Sequence, residues 1–111
     1  MKALRWIGSS QKDLMLFPVA VRKEIGYALH VAQMGDMYVH AKPLKGLGSG
    51  IYEIVSDHDK NTYRSIYVVN LKDAVYVLHA FQKKSKEGIK TPQEEIDVAK
   101  DRLKRLKASL R

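Results

Sequence analysis

The chain has 111 residues, 45% apolar and 29% charged, which are the proportions of a folded globular protein and exclude a disordered one. It has no cysteine, which excludes a disulfide framework and a thiolate metal site, and its formal charge of +8 favours a polyanionic partner. Residues 1–50 hold 7 basic and 3 acidic side chains, 51–90 hold 7 and 5, and 91–111 hold 6 and 4, so the excess belongs to the body of the protein and not to a tail. Nucleic acid is the first candidate partner. The length suits one domain over 1–111. The N-terminal apolar patch is broken by Arg5 and is too short for a signal-peptide core or a membrane span, so a cytoplasmic protein without membrane association is expected.

Residues 3–7 alternate in a short β-prone run, with Leu4 and Trp6 on one face, and Gly8 ends it. Ser10 followed by Asp13 is a helix-start signal. Pro18 restarts a helix whose Val21, Ile25, Ala28, Leu29 and Ala32 form a stripe at helical spacing, and Gly35 stops it, so 10–34 is predicted to be a broken pair of helices. Residues 35–50, with Pro43 and glycines at 46, 48 and 50, show no period and are predicted to be a loop. Three β-rich runs follow, 51–55, 62–70 and 74–81, separated by polar links that suggest an antiparallel meander. After a polar stretch over 83–90, Thr91 as N-cap, Pro92 at the first helical position and Glu94 as capping-box partner open a last helix. Its apolar positions are Ile96, Ala99, Leu103, Leu106 and Leu110, with acids early and bases late, as the helix dipole favours. The predicted class is α+β.

Several strings together resemble the HigB-like, phage-associated branch of the RelE/ParE toxin superfamily. They are KPLKGLGSGIYEI at 42–54, TYRSIYVV at 62–69, VYVLHAFQKKS at 75–85 and KTPQEEIDVAKDRL at 90–103, preceded by LRWIGSSQKDL, FPVAVRKEIGYAL and AQMG. The resemblance spans nearly the whole chain. It implies a RelE-like fold: a small antiparallel-rich curved sheet, helices packed on one side, and a concave side that faces RNA. It also implies a toxin of a type II toxin–antitoxin system, a ribosome-dependent endoribonuclease acting on messenger RNA, with an antitoxin partner that is often a helix-turn-helix protein. Superfamily relatives of the ParE type inhibit DNA gyrase and cleave nothing, which is the alternative function; an inactive phage-derived relative is another.

Metal-free RNA cleavage needs the 2′-hydroxyl aligned on the adjacent phosphorus, negative charge stabilised and protons moved, so cations are the expected site residues. Arg64, on one strand face with Ile66 and Val68, would grip the scissile phosphate in two-toothed fashion, the role the similar arginine has in RelE-like toxins; the structural alternative is a pair with Glu53 or another acid across the sheet. By the functional reading Arg64 contributes little to the fold. Lys83 and Lys84 end the third run on opposite faces, so only one can look into a given cleft. With Lys86 and Lys90 they form either a solvated basic edge or an RNA-backbone contact, and the match to the FQKKS string favours contact. Lys45 and Lys42, in the loop, are further RNA-contact candidates. Glu53, the only acid within the β-rich runs, could accept a proton or hold a lysine in place. Many family members have an arginine shortly after this glutamate, whereas Ile54, Val55 and Ser56 follow here, removing one phosphate contact. His79, placed on a face with Val77 and Phe81, could transfer a proton or be a buried structural histidine. Tyr52, Tyr63, Tyr67, Tyr76 and Phe81 could stack on bases only if they lie on the concave face. His30, His40 and His58 lack metal-ligand spacing, and GLGSG at 46–50 lacks the Lys-Ser/Thr of a phosphate loop, so no metal and no cofactor is expected.

Overall fold

Period-two alternation in the central runs and period-3.6 stripes on either side dictate a sheet with helices packed on it. A computed structural model describes residues 1–83 and 90–111. In chain order the elements are β1 (Ala3–Trp6), α1 (Ser10–Leu14), α2 (Val19–Gln33), β2 (Ala41–Pro43), β3 (Ile51–His58), β4 (Asn61–Leu71), β5 (Ala74–Lys83) and α3 (Gln93–Ser109). They form one five-stranded sheet in the order β1-β5-β4-β3-β2, with β1 parallel to β5 and every other neighbour antiparallel. The α+β class and the antiparallel-rich sheet agree with the sequence reading.

Two-residue turns close both hairpins of the meander. Asp59 and Lys60 have φ of 51° and 67°, and Lys72 and Asp73 have 48° and 55°, the paired positive φ values of a type I′ turn, whose twist matches that of the strands. The segment read as a loop contains β2, whose Lys42 lies opposite Glu53 in register. At three residues with a proline, β2 is too short to show alternation, and it is a strand because β3 offers it an edge.

The two strand faces bury different helices. Val21, Ile25, Ala28, Leu29 and Ala32 of α2 are all buried, and with Leu14 of α1 they cluster with Ile54, Tyr63, Tyr67, Val75 and Val77. The alternate positions, Ile51, Ile66, Val68, Tyr76, Leu78 and Phe81, cluster with Ala99, Leu103 and Leu106 of α3. Thus α1 and α2 share one side of the sheet, while α3 takes the residues of opposite parity. Burying Leu103 and Leu106, at 5% and 6% exposure, stabilises by about 1.5–3 kcal/mol each. Among the described residues, no helix is long and apolar enough to cross a membrane.

A register shift between Ile66/Tyr67 and their partners leaves Leu78 as an extra residue in β5. The bulge lets consecutive Leu78 and His79 both point toward α3. His79 is therefore on the face of Phe81 but opposite Val77, which corrects the simple alternation expected there.

Candidate functional site

The face that meets α3 is apolar at the end near the β4–β5 turn and polar near the β3–β4 turn. Glu53 and Asp57 of β3, Thr62 and Arg64 of β4, and Lys83 of β5 occupy that polar end by alternation, and Lys42 of β2 lies across from Glu53. Arg64 and Glu53 are diagonal neighbours, since Val55 stands opposite Arg64 and Ile66 opposite Glu53. Arg64 Nη1 donates to Glu53 Oε1 at 2.7 Å, with side-chain exposures of 4% and 0%. The cross-sheet pair weighed as the structural alternative is thus present in this form of the protein.

Thr91 completes the arrangement. Its Oγ1 donates to Glu53 Oε2 at 2.6 Å and lies 3.4 Å from Arg64 Nη1, from which it accepts. The capping box expected at this helix start is not formed. Pro92 occupies the N-cap position without a side-chain cap bond, and the Thr91 hydroxyl is turned onto the sheet instead. Glu53 therefore has both oxygens engaged and holds an arginine, a geometry suited to positioning Arg64 and not to receiving a proton.

Lys83 is the last residue of β5 and is buried. Its ammonium is held below the usual lysine range, first by desolvation and then by the Arg64 charge, with Lys42 adding to the effect and Glu53 opposing it. Lys42 and Lys45 are exposed. Of the sequence candidates, then, Lys42, Glu53, Arg64 and Lys83 come together, Lys45 lies in the loop after β2, and Lys84 and Lys86 lie outside the described residues. Asp57 was missed because the expected strand stopped at 55, whereas β3 continues to His58; its Oδ1 accepts from Thr62 Oγ1 at 2.8 Å.

His79 is on the same face but engaged elsewhere. Its Nε2 is 2.9 Å from Glu95 Oε1, and its Nδ1 is 3.4 Å from Arg102 Nη1. An arginine only donates, so Nδ1 is the side that accepts and Nε2 the side that faces Glu95, and the ring stacks on Phe81 at 5.0 Å. Both nitrogens are occupied, the geometry of a structural histidine. Arg102 also donates to Leu78 O at 2.9 Å and to Ser9 Oγ at 3.0 Å. Gly8, with φ +57°, makes room for it, since a Cβ there would stand 2.7 Å from Arg102 Nε. Tyr63 and Tyr67 are buried on the α1/α2 side and Tyr76 and Phe81 on the α3 side, while Tyr52 is partly buried and stacks on Tyr67 on the side away from α3. Among the described residues, no group of three or more His, Cys, Asp or Glu could hold a metal ion.

Fold and site together define a small α+β protein with a cluster of cations around one buried carboxylate at the polar end of a sheet face. The family model described as Phage derived protein Gp49-like (DUF891) matches residues 12–104. The chain belongs to this Gp49-like family of phage-derived proteins. No curated protein matches it.

Proposed function

We propose that the protein is the toxin of a toxin–antitoxin pair and cleaves messenger RNA at the ribosome, in the cytoplasm, without a metal ion. The observation that carries this reading is the convergence of Lys42, Arg64 and Lys83 around the single carboxylate of Glu53, in a chain of net charge +8. Such a cluster attracts a phosphodiester and has little to offer an uncharged substrate. Membership of the Gp49-like phage-derived family, together with the HigB-like strings, supports a toxin encoded beside an antitoxin, with a helix-turn-helix protein as the partner that the resemblance implies.

In the reaction the 2′-oxygen attacks the adjacent phosphorus and loses its proton, while the bond to the 5′-oxygen breaks and that oxygen gains one. The products are a cyclic phosphate and a 5′-hydroxyl. Lys83 releases its proton more readily than an exposed lysine, so it is the group suited to proton transfer. Arg64, held in place by the Glu53 carboxylate, stabilises the charge on the phosphate. Lys42, exposed beside this point, holds a neighbouring phosphate, and Lys45, exposed in the loop after β2, is a further phosphate ligand in this reading.

The test is primer extension on a defined messenger RNA in a translating extract supplied with purified protein, set beside a gyrase supercoiling assay. New 5′ ends inside the translated region, absent when translation is blocked, are expected. Intact messenger RNA with inhibited supercoiling would replace this reading by gyrase inhibition. Intact messenger RNA with normal supercoiling would leave an inactive relative.

A further inference from the structure

We infer that the start of α3 is a latch over the Glu53–Arg64 pair, with Thr91 as its catch, and that the form described here is the closed one. The inference rests on the reading of Arg64 as a phosphate ligand and concerns the regulation of that same site.

Three side chains close a hydrogen-bonded ring. Arg64 Nη1 donates to Glu53 Oε1 at 2.7 Å, Thr91 Oγ1 donates to Glu53 Oε2 at 2.6 Å, and Arg64 Nη1 reaches Thr91 Oγ1 at 3.4 Å. Their exposures are 0% for Glu53, 3% for Arg64 and 5% for Thr91. A phosphate oxygen must come within about 2.7–2.9 Å of a guanidinium nitrogen to bond it. Thr91 Oγ1 already stands within reach of Nη1, so a phosphate oxygen that bonds Nη1 from this side must displace the Thr91 hydroxyl.

The helix is built so that this movement is local. A threonine at a helix start ordinarily spends its hydroxyl on the first-turn amides, but Thr91 makes no such bond and Pro92 supplies no side-chain cap. Lifting the start of α3 therefore breaks the contact to the site and sacrifices no side-chain cap. Gln93 and Glu94 are exposed, and the first apolar contact, Ile96, is only partly buried. The firm anchors, Ala99, Leu103 and Leu106, lie a turn or more further along. The bond between Glu95 and His79 at 2.9 Å marks where the tethered part begins. Residues 91–94 can swing while the rest of α3 stays docked once the bonds from the Glu95 and Ile96 amides to Pro92 O and the Gln93–Asp97 side-chain bond are released, and an arriving phosphate then shares the Arg64 guanidinium with the Glu53 carboxylate.

The test uses inorganic phosphate as the probe, followed at the guanidinium resonances of Arg64 by nitrogen-15 NMR in wild type, Thr91→Val and Thr91→Ser. Thr91→Val is expected to lower the phosphate midpoint about tenfold, the scale of one hydrogen bond to a charged group, and Thr91→Ser to stay near wild type. In the wild-type protein, phosphate should speed amide exchange at 93–95 while that at 99–106 is unchanged. The wild-type arm decides the matter even where a variant folds poorly. An unchanged or higher midpoint in folded Thr91→Val, or exchange at 93–95 that is slowed or unaffected by phosphate, overturns the latch. These readouts involve no RNA cleavage, so a protein that passes them and cleaves nothing keeps the latch and loses the proposed function. One that cleaves messenger RNA while phosphate leaves Arg64 undisturbed does the reverse.

Discussion

A carboxylate with no exposed surface is tolerated inside a sheet only when its charge is answered, and at Glu53 the answer comes from Arg64 and Thr91. This reverses the expectation that Arg64 contributes little to the fold. Arg64→Ala takes from the buried Glu53 carboxyl its ion-pair partner, at a cost of about 3–5 kcal/mol. Arg64→Ala combined with Glu53→Ala should recover much of that loss, because neither charge is then stranded. Urea unfolding of the two variants checks this, and an Arg64→Ala protein as stable as wild type would show that the pair is not structural. Any fall in cleavage for Arg64→Ala must accordingly be measured per folded molecule. The type and face of Arg64 and Glu53 were legible in the sequence because strand alternation fixes them. The part played by Thr91 was not: its neighbours Pro92 and Glu94 make it look like a cap, and only the tertiary position of Glu53 draws its hydroxyl away.

The long elements and the short β1 and α1 announced themselves, whereas β2 and the irregularity within β5 did not. All five residues read as the α2 stripe are buried, and of the five read for α3 Ala99, Leu103 and Leu106 are buried while Ile96 and Leu110, the latter just past the helix, are partly so. Strand β2 has no period of its own, and the bulge at Leu78 follows from pairing and leaves no mark in composition. Another tie invisible in the sequence joins α2 to β3. The Glu24 carboxylate accepts from Ser56 Oγ at 2.5 Å and Tyr38 OH at 2.7 Å and lies 3.2 Å from His40 Nδ1. Burial alone would push Glu24 up, but the hydrogen bonds from Ser56, Tyr38 and His40 outweigh it and hold the carboxyl below its ordinary value of 4.5. The same contact pushes the Tyr38 phenol up. A depressed folded pKa gives stability that is complete above the unfolded value and is lost as pH falls through the folded one. Glu24→Gln should therefore lower the melting temperature at pH about 7, and the gap to wild type should narrow in acid below the ordinary value of 4.5. A gap of equal size in acid would show that the carboxylate's charge is not what the clamp uses.

At the scale of the whole molecule, 20 basic residues against 12 acidic mean that the RNA binding proposed above would be an exercise in displacing counterions. The logarithm of affinity should fall linearly with the logarithm of salt concentration, and removing one phosphate contact by Lys42→Ala should make the slope shallower by about 0.7. Filter binding of a short single-stranded RNA over a salt series measures this; an affinity indifferent to salt would take the charge out of the account. The sheet order also imposes a sequence in time. Two tight turns let β3, β4 and β5 pair with their immediate neighbours, but β1 must wait for β5, with Ala3 beside Ala74. Contacts so far apart along a chain form late, because the intervening loop has to close first. The cluster itself draws on Glu53, Arg64, Lys83 and Thr91, so during translation no ribosome that is still making the segment before Thr91 carries a finished copy of it. Under the proposed function, a nascent chain is harmless to the machine producing it until all five strands and Thr91 have been made.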